Sequence, residues 1–122
     1  MDHMASRVAM NQARFREAND EIESRAIVAG VEMVPFICEC ANPDCTKIIR
    51  VTTQEYEDVR SDSLLFLNAP GHEAHSREFA EVVARNDRYV VTKKVGDAAP
   101  IVTRLDPRGE TETGSEDEAD VA

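Results

Sequence analysis

Three cysteines within eight residues are the part of this sequence best equipped for chemistry: Cys38-Glu39-Cys40-Ala41-Asn42-Pro43-Asp44-Cys45. The chain contains no other cysteine. Thiolates are soft ligands suited to tetrahedral zinc, and the turn-forming Asn42-Pro43 step can bring three sulfurs to one centre. Zn2+ is therefore the expected cofactor, with Cys38, Cys40 and Cys45 as ligands. A fourth ligand must come from elsewhere, and His72 is the candidate, in the Ala69-Pro70-Gly71-His72 turn. His75, a carboxylate such as Glu39 or Asp44, and water are the alternatives. With His72 the site is closed and structural; with water, the zinc becomes a Lewis acid. Cys45 and His72 can also be read as a thiolate–imidazole pair, and three free thiols as redox groups. The crowding of the thiols in one short loop makes ligation the simpler use.

The Cys-x-Cys-x4-Cys cluster resembles the post-SET zinc knuckle of histone-lysine methyltransferases, which takes its fourth ligand from a distant segment. The resemblance covers residues 38–45 only. It implies a metal geometry and no activity, because no methyltransferase motif stands elsewhere. Over residues 13–95 the chain resembles a group of small uncharacterised bacterial proteins. The matching stretches are Phe15-Arg16-Glu17-Ala18-Asn19, Phe36-Ile37-Cys38-Glu39-Cys40 with Cys45, Thr53-Gln54-Glu55-Tyr56-Glu57-Asp58-Val59-Arg60, and Pro70-Gly71-His72. That resemblance implies that Cys38, Cys40, Cys45 and His72 act as one unit.

The elements that must position these residues follow from periodicity. Val8, Phe15, Ala18, Ile22, Ala26 and Ala29 recur at helical spacing, predicting one amphipathic helix over 7–29 that turns Arg14, Arg16, Glu17, Asp20, Glu21 and Glu23 outward. Gly30 is its expected stop. Residues 33–38 and 46–51 read as strands on either side of the cysteine loop, with Pro35 marking an edge. Thr52-x-x-Glu55 is a capping box opening a helix over about 53–61. On that helix Tyr56 and Arg60 are a possible partner-binding pair, set against simple packing over a strand edge. Residues 63–68 read as a strand buried on both faces. A third helix is expected over about 77–86, capped by Ser76 and facing inward with Phe79, Val82 and Val83. A last strand follows over 89–94, and Gly96 and Pro100 mark the end of order.

The whole is expected to be one α+β domain over residues 7–104, with a small, mainly antiparallel sheet, a covering N-terminal helix, two short helices and a zinc knuckle. Residues 1–6 read as an expression remnant. Residues 105–122 read as a disordered acidic tail. The net charge is −10, and residues 106–122 carry seven acids against one base, so the remainder is near −4. That balance disfavours nucleic acid as a partner despite the local density of Arg77, Arg85, Arg88, Lys93 and Lys94. No apolar run reaches membrane-spanning length. Cysteines spaced for metal point to a reducing compartment, hence a cytoplasmic protein. The functional expectation is a zinc-stabilised protein-binding or regulatory module. The rival is a small zinc enzyme or thiol-redox protein using Cys38, Cys40 and Cys45.

Overall fold

A computed structural model of the chain describes residues 3–40, 42–73 and 78–108. Its elements run α1 (His3–Ala29), β1 (Val34–Ile37), β2 (Ile48–Val51), α2 (Thr53–Arg60), β3 (Leu65–Asn68), β4 (Ala80–Arg85), β5 (Val90–Lys94) and α3 (Ala98–Leu105). The α+β expectation holds, and the strands form two antiparallel sheets: a β1–β2 hairpin and a three-stranded sheet in the order β3–β5–β4. The three-stranded sheet separates two apolar clusters. Leu67 and Val91 join Val34, Phe36, Ile49, Val51, Tyr56 and Val59 around the cysteines. Phe66 instead joins Ala5 and Ala9 of α1 and Ala98 and Val102 of α3. Neighbouring residues of one strand thus serve opposite faces, as a two-residue period requires.

The N-terminal helix ends as expected. Gly30 adopts φ +71°, and the Gly30 and Val31 amides donate to the carbonyls of Ile27 and Ala26, closing a Schellman turn that a side-chain-bearing residue would strain. Its buried face differs from the expected one. The most buried positions are Ala5, Ala9, Gln12, Arg16, Asn19, Glu23 and Ala26, an alternation of four- and three-residue steps whose centre is polar. Arg16 and Glu23, expected outside, are inside, whereas Ala29 is exposed. The reason is what the helix meets. Asn19 clamps the free edge of β1 with both amide groups: its Nδ2 donates to Ile37 O, and Ile37 N–H donates to its Oδ1, each at 2.8 Å. Pro35, on the same edge, has no N–H to satisfy. Gln12 donates to Glu39 O (2.7 Å), and Arg16 donates to the Ser63 and Leu65 carbonyls (2.7 Å each). Backbone groups that short sheets leave unpaired are therefore satisfied by side chains of one helix.

Three further expectations are corrected. The helix starts at His3, and Ala5 is fully buried, so the presumed remnant contributes to the fold. The expected third helix is instead strand β4, because residues 80–82 and 84–85 pair in a hairpin with β5, with the register shifted at Val83, around Asn86, whose Oδ1 accepts from the Arg88 and Tyr89 amides. Val82 and Val83 are exposed rather than inward. The chain also remains ordered past Pro100, which sits in the first turn of α3 where its missing N–H costs no helical hydrogen bond. His75, Ser76, Arg77 and residues 109–122 lie outside the described residues. The capping box at Thr52 and Glu55 forms as read.

Candidate metal centre

The local sequence places each sulfur. Cys38 extends the hairpin ladder, its N–H donating to Lys47 O at 3.0 Å. Asn42 then turns the chain, accepting the Asp44 amide on its side chain (2.9 Å) and the Cys45 amide on its carbonyl (3.1 Å). After β3, the His72 amide donates to Ala69 O (2.9 Å), and Gly71 at φ +91° supplies the left-handed step of this turn. The turn swings the imidazole back over the hairpin tip. Cys38 and Cys40 are buried, while Cys45 and His72 are half-buried.

The four side chains converge, with ligand atoms all within 4.8 Å of one another. His72 Nδ1 lies 3.6 Å from Cys38 Sγ, 3.7 Å from Cys40 Sγ and 3.3 Å from Cys45 Sγ. A tetrahedral ion with bonds of about 2.3 Å to sulfur and about 2.0 Å to nitrogen sets each sulfur–nitrogen separation at about 3.5 Å. The cluster can hold a metal ion. Backbone amides also point at the sulfurs: Ala69 N–H donates to Cys38 Sγ at 3.2 Å, and the Lys47 N–H faces Cys45. With no cation, Cys38 is pushed well above the usual thiol range by its hydrogen bond with Cys40 and by burial. Burial raises Cys45 as well. Such thiols are poor nucleophiles, and a bound cation reverses that balance. No protein-family model, curated protein or solved structure matches this chain.

Glu39, between two of the cysteines, points away from the cluster and so is not the fourth ligand. Its fully buried carboxylate accepts from Leu67 N–H (2.9 Å), Asn19 Nδ2 (2.8 Å) and Tyr56 Oη (3.0 Å), while its amide donates to Leu67 O (2.7 Å). Burial nevertheless pushes Glu39 up, against the pull of Arg16 and these donors. Through this one residue the cysteine loop grips α1, α2 and β3. Sequence reasoning missed that role, although an acid between two buried cysteines was a signal for it. Asp44 is exposed on the loop.

Tyr56 and Arg60 do not form a partner-binding face. Both are buried: Tyr56 stacks on Phe36 at 4.3 Å, and Arg60 joins Asp20 (2.9 Å) to Asp106 (2.8 Å). Asp106 also meets Arg16 Nη1 (3.3 Å) and Ser63 Oγ (2.6 Å). Although burial alone would raise it, the hydrogen bonds from Arg60 and Ser63 and the charge of Arg16 hold Asp106 below the usual carboxylate range. A residue read from sequence as part of a tail is therefore the counter-ion of two buried arginines. Among the basic residues singled out, Lys94 is buried and Arg88 pairs with Glu55.

Proposed function

We propose that Cys38, Cys40, Cys45 and His72 hold one Zn2+ ion in a closed structural site, and that the protein is a zinc-stabilised module acting through contacts with another protein. The agreement between the three sulfur–nitrogen distances and tetrahedral coordination carries this reading. Four protein ligands leave no position for an attacking water. Zinc would replace the hydrogen bonds among the thiols and fix the loop on which Glu39 is mounted, so metal binding and folding are one event. Ile27, Val28, Val31 and Met33 supply apolar surface for a protein contact: all four are exposed around the end of α1 and the approach to β1. Among the described residues no helix is long and apolar enough to cross a membrane.

The test is elemental analysis of protein purified without chelator, for the wild type and His72→Ala side by side. The expected result is one zinc per chain, weakened or lost in the variant. Zinc fully retained in the variant would move the fourth position to another group, and no metal in either protein would end the reading.

A further inference from the structure

The last described residues, 106–108, form a strap across α1 and α2, and its two charged ends are held differently. Asp106 is fixed by Arg16, Arg60 and Ser63. Among the described residues, the Arg108 side chain is held by carboxylates: its Nη2 lies 3.0 Å from Glu23, 2.9 Å from Glu57 and 3.6 Å from Asp20, and its Nη1 lies 3.1 Å from Glu57. Glu23 is the unusual member. It is 4 % exposed, and its Oε2 is buried with no hydrogen-bond partner among the described residues, with Glu57 as its carboxylate neighbour. A buried carboxylate oxygen beside a second carboxylate is stable either when a proton lies between the two or when a cation offsets both. Here Arg108 is that cation.

We propose that Arg108 and a proton compete for Glu23, making the 106–108 strap a pH-responsive latch. The charged groups that act on Glu23 are Glu57 on α2 and Arg108 on the strap; around them, Arg108 also reaches Asp20, and Arg60 ties Asp20 to Asp106. Burial and the hydrogen bond with Glu57 raise Glu23 to about 7, while Arg108 pulls the other way. Since Arg108 favours the ionised form, the ionised form equally favours docked Arg108, because linkage is reciprocal. The latch therefore fastens as pH rises through neutrality and slackens in mild acid, where the protonated Glu23 carboxyl donates a hydrogen bond to the Glu57 carboxylate. Asp106 stays ionised throughout and acts as the hinge.

The sign for the whole fold is the reverse. Because Glu23 is raised above its unfolded value, its contribution to global stability is fully present below about 4.5 and is lost as pH rises through about 7. Lys94 acts oppositely over a neighbouring range, so a melting curve mixes the effects and the test must be resolved by site. On the full chain, carbon-detected NMR would follow the Glu23 carboxyl in the wild type and in Arg108→Met, which keeps an apolar stem and removes the charge. Hydrogen exchange, corrected for intrinsic rate, would follow the Arg108 amide, which donates to Asp106. The expected result is a Glu23 midpoint near neutrality, raised by about half a unit or more in Arg108→Met. Protection at the Arg108 amide should grow through the same range in the wild type and stay flat in Glu23→Gln. A Glu23 midpoint in the ordinary glutamate range, or one unmoved by Arg108→Met, would overturn the competition. Wild-type protection that ignores pH would overturn the latch.

Discussion

Two parts of this molecule solve the same problem by different means. At the hairpin tip, three thiols and an imidazole lie against the core, where they could hold a metal cation. In the middle of α1's buried stripe, Arg16 lies inside beside Arg60, and the two guanidinium groups are met by Asp106 and Asp20. The first site draws three of its four groups from one loop, so its geometry is mostly local. The second assembles three elements that meet only in the finished fold. Glu39 and Arg16 link them, since both are anchored beside β3 and each acts on the charge of the other. Local assembly makes the first site readable; distributed assembly makes the second unreadable and dependent on every partner.

The hairpin end should break hardest. Cys40→Ser removes one ligand of a site whose zinc would contribute on the order of 10 kcal/mol, comparable to the whole stability of a small domain. Loss of the cooperative thermal transition in circular dichroism is expected, and a transition within a few degrees of wild type would place the stability elsewhere. The charged end should come next. Truncation after Leu105 removes the carboxylate shared by Arg16 and Arg60, leaving Arg16 with carbonyls alone and Arg60 with Asp20, and should cost about 3–5 kcal/mol in a denaturant titration. A loss below about 1 kcal/mol would mean that solvent serves those arginines as well as Asp106 does. This reverses the neutral outcome implied by reading residues 105–122 as a tail.

The smallest effect sharpens the comparison by removing a cation that no acid matches among the described residues. Lys94 is 1 % exposed, its Nζ has no hydrogen-bond partner among them, and it lies 5.2 Å from the Phe66 ring. Burial, then the charge of Arg16, lowers it to about 7. A base lowered on folding binds its proton better in the unfolded chain, so stability should rise with pH from about 7 towards the unfolded value of 10.5. Lys94→Met should therefore stabilise the protein at pH 7, by on the order of 2 kcal/mol, and flatten that rise. A lower melting midpoint for Lys94→Met at pH 7 would show that the amine has a partner of value.

Legibility followed the range of the forces involved. The capping box at Thr52, the stop at Gly30, the edge marked by Pro35 and the gathering of Cys38, Cys40, Cys45 and His72 each rest on a few neighbouring residues, and each was readable. The face of α1 was misread because polarity was taken as a sign of exposure. Gln12, Arg16, Asn19 and Glu23 share their spacing with Ala5, Ala9 and Ala26, and that spacing was the available signal. Strand β4 was misread because Phe79, Val82 and Val83 fit a helical period as well as a strand, and only pairing with β5 decides between them. Nothing local marks Asp106 as buried; its environment is made by Arg16 and Arg60.

The polar stripe on α1 also constrains how the chain can fold while it is being synthesised. The helix leaves the ribosome before the groups that its interior side chains bind: Ile37 and Glu39, then Ser63 and Leu65, and finally Asp106. An emerging α1 has little apolar surface to stabilise it alone. The hairpin and the His72 turn can be complete while Arg16 still awaits Asp106. A nascent chain stalled before residue 106 would therefore carry a finished hairpin tip beside a helix docked through Gln12, Asn19 and the Arg16 carbonyl contacts but lacking the Asp106 ion pairs, and would be more open to proteases along α1 than the finished fold.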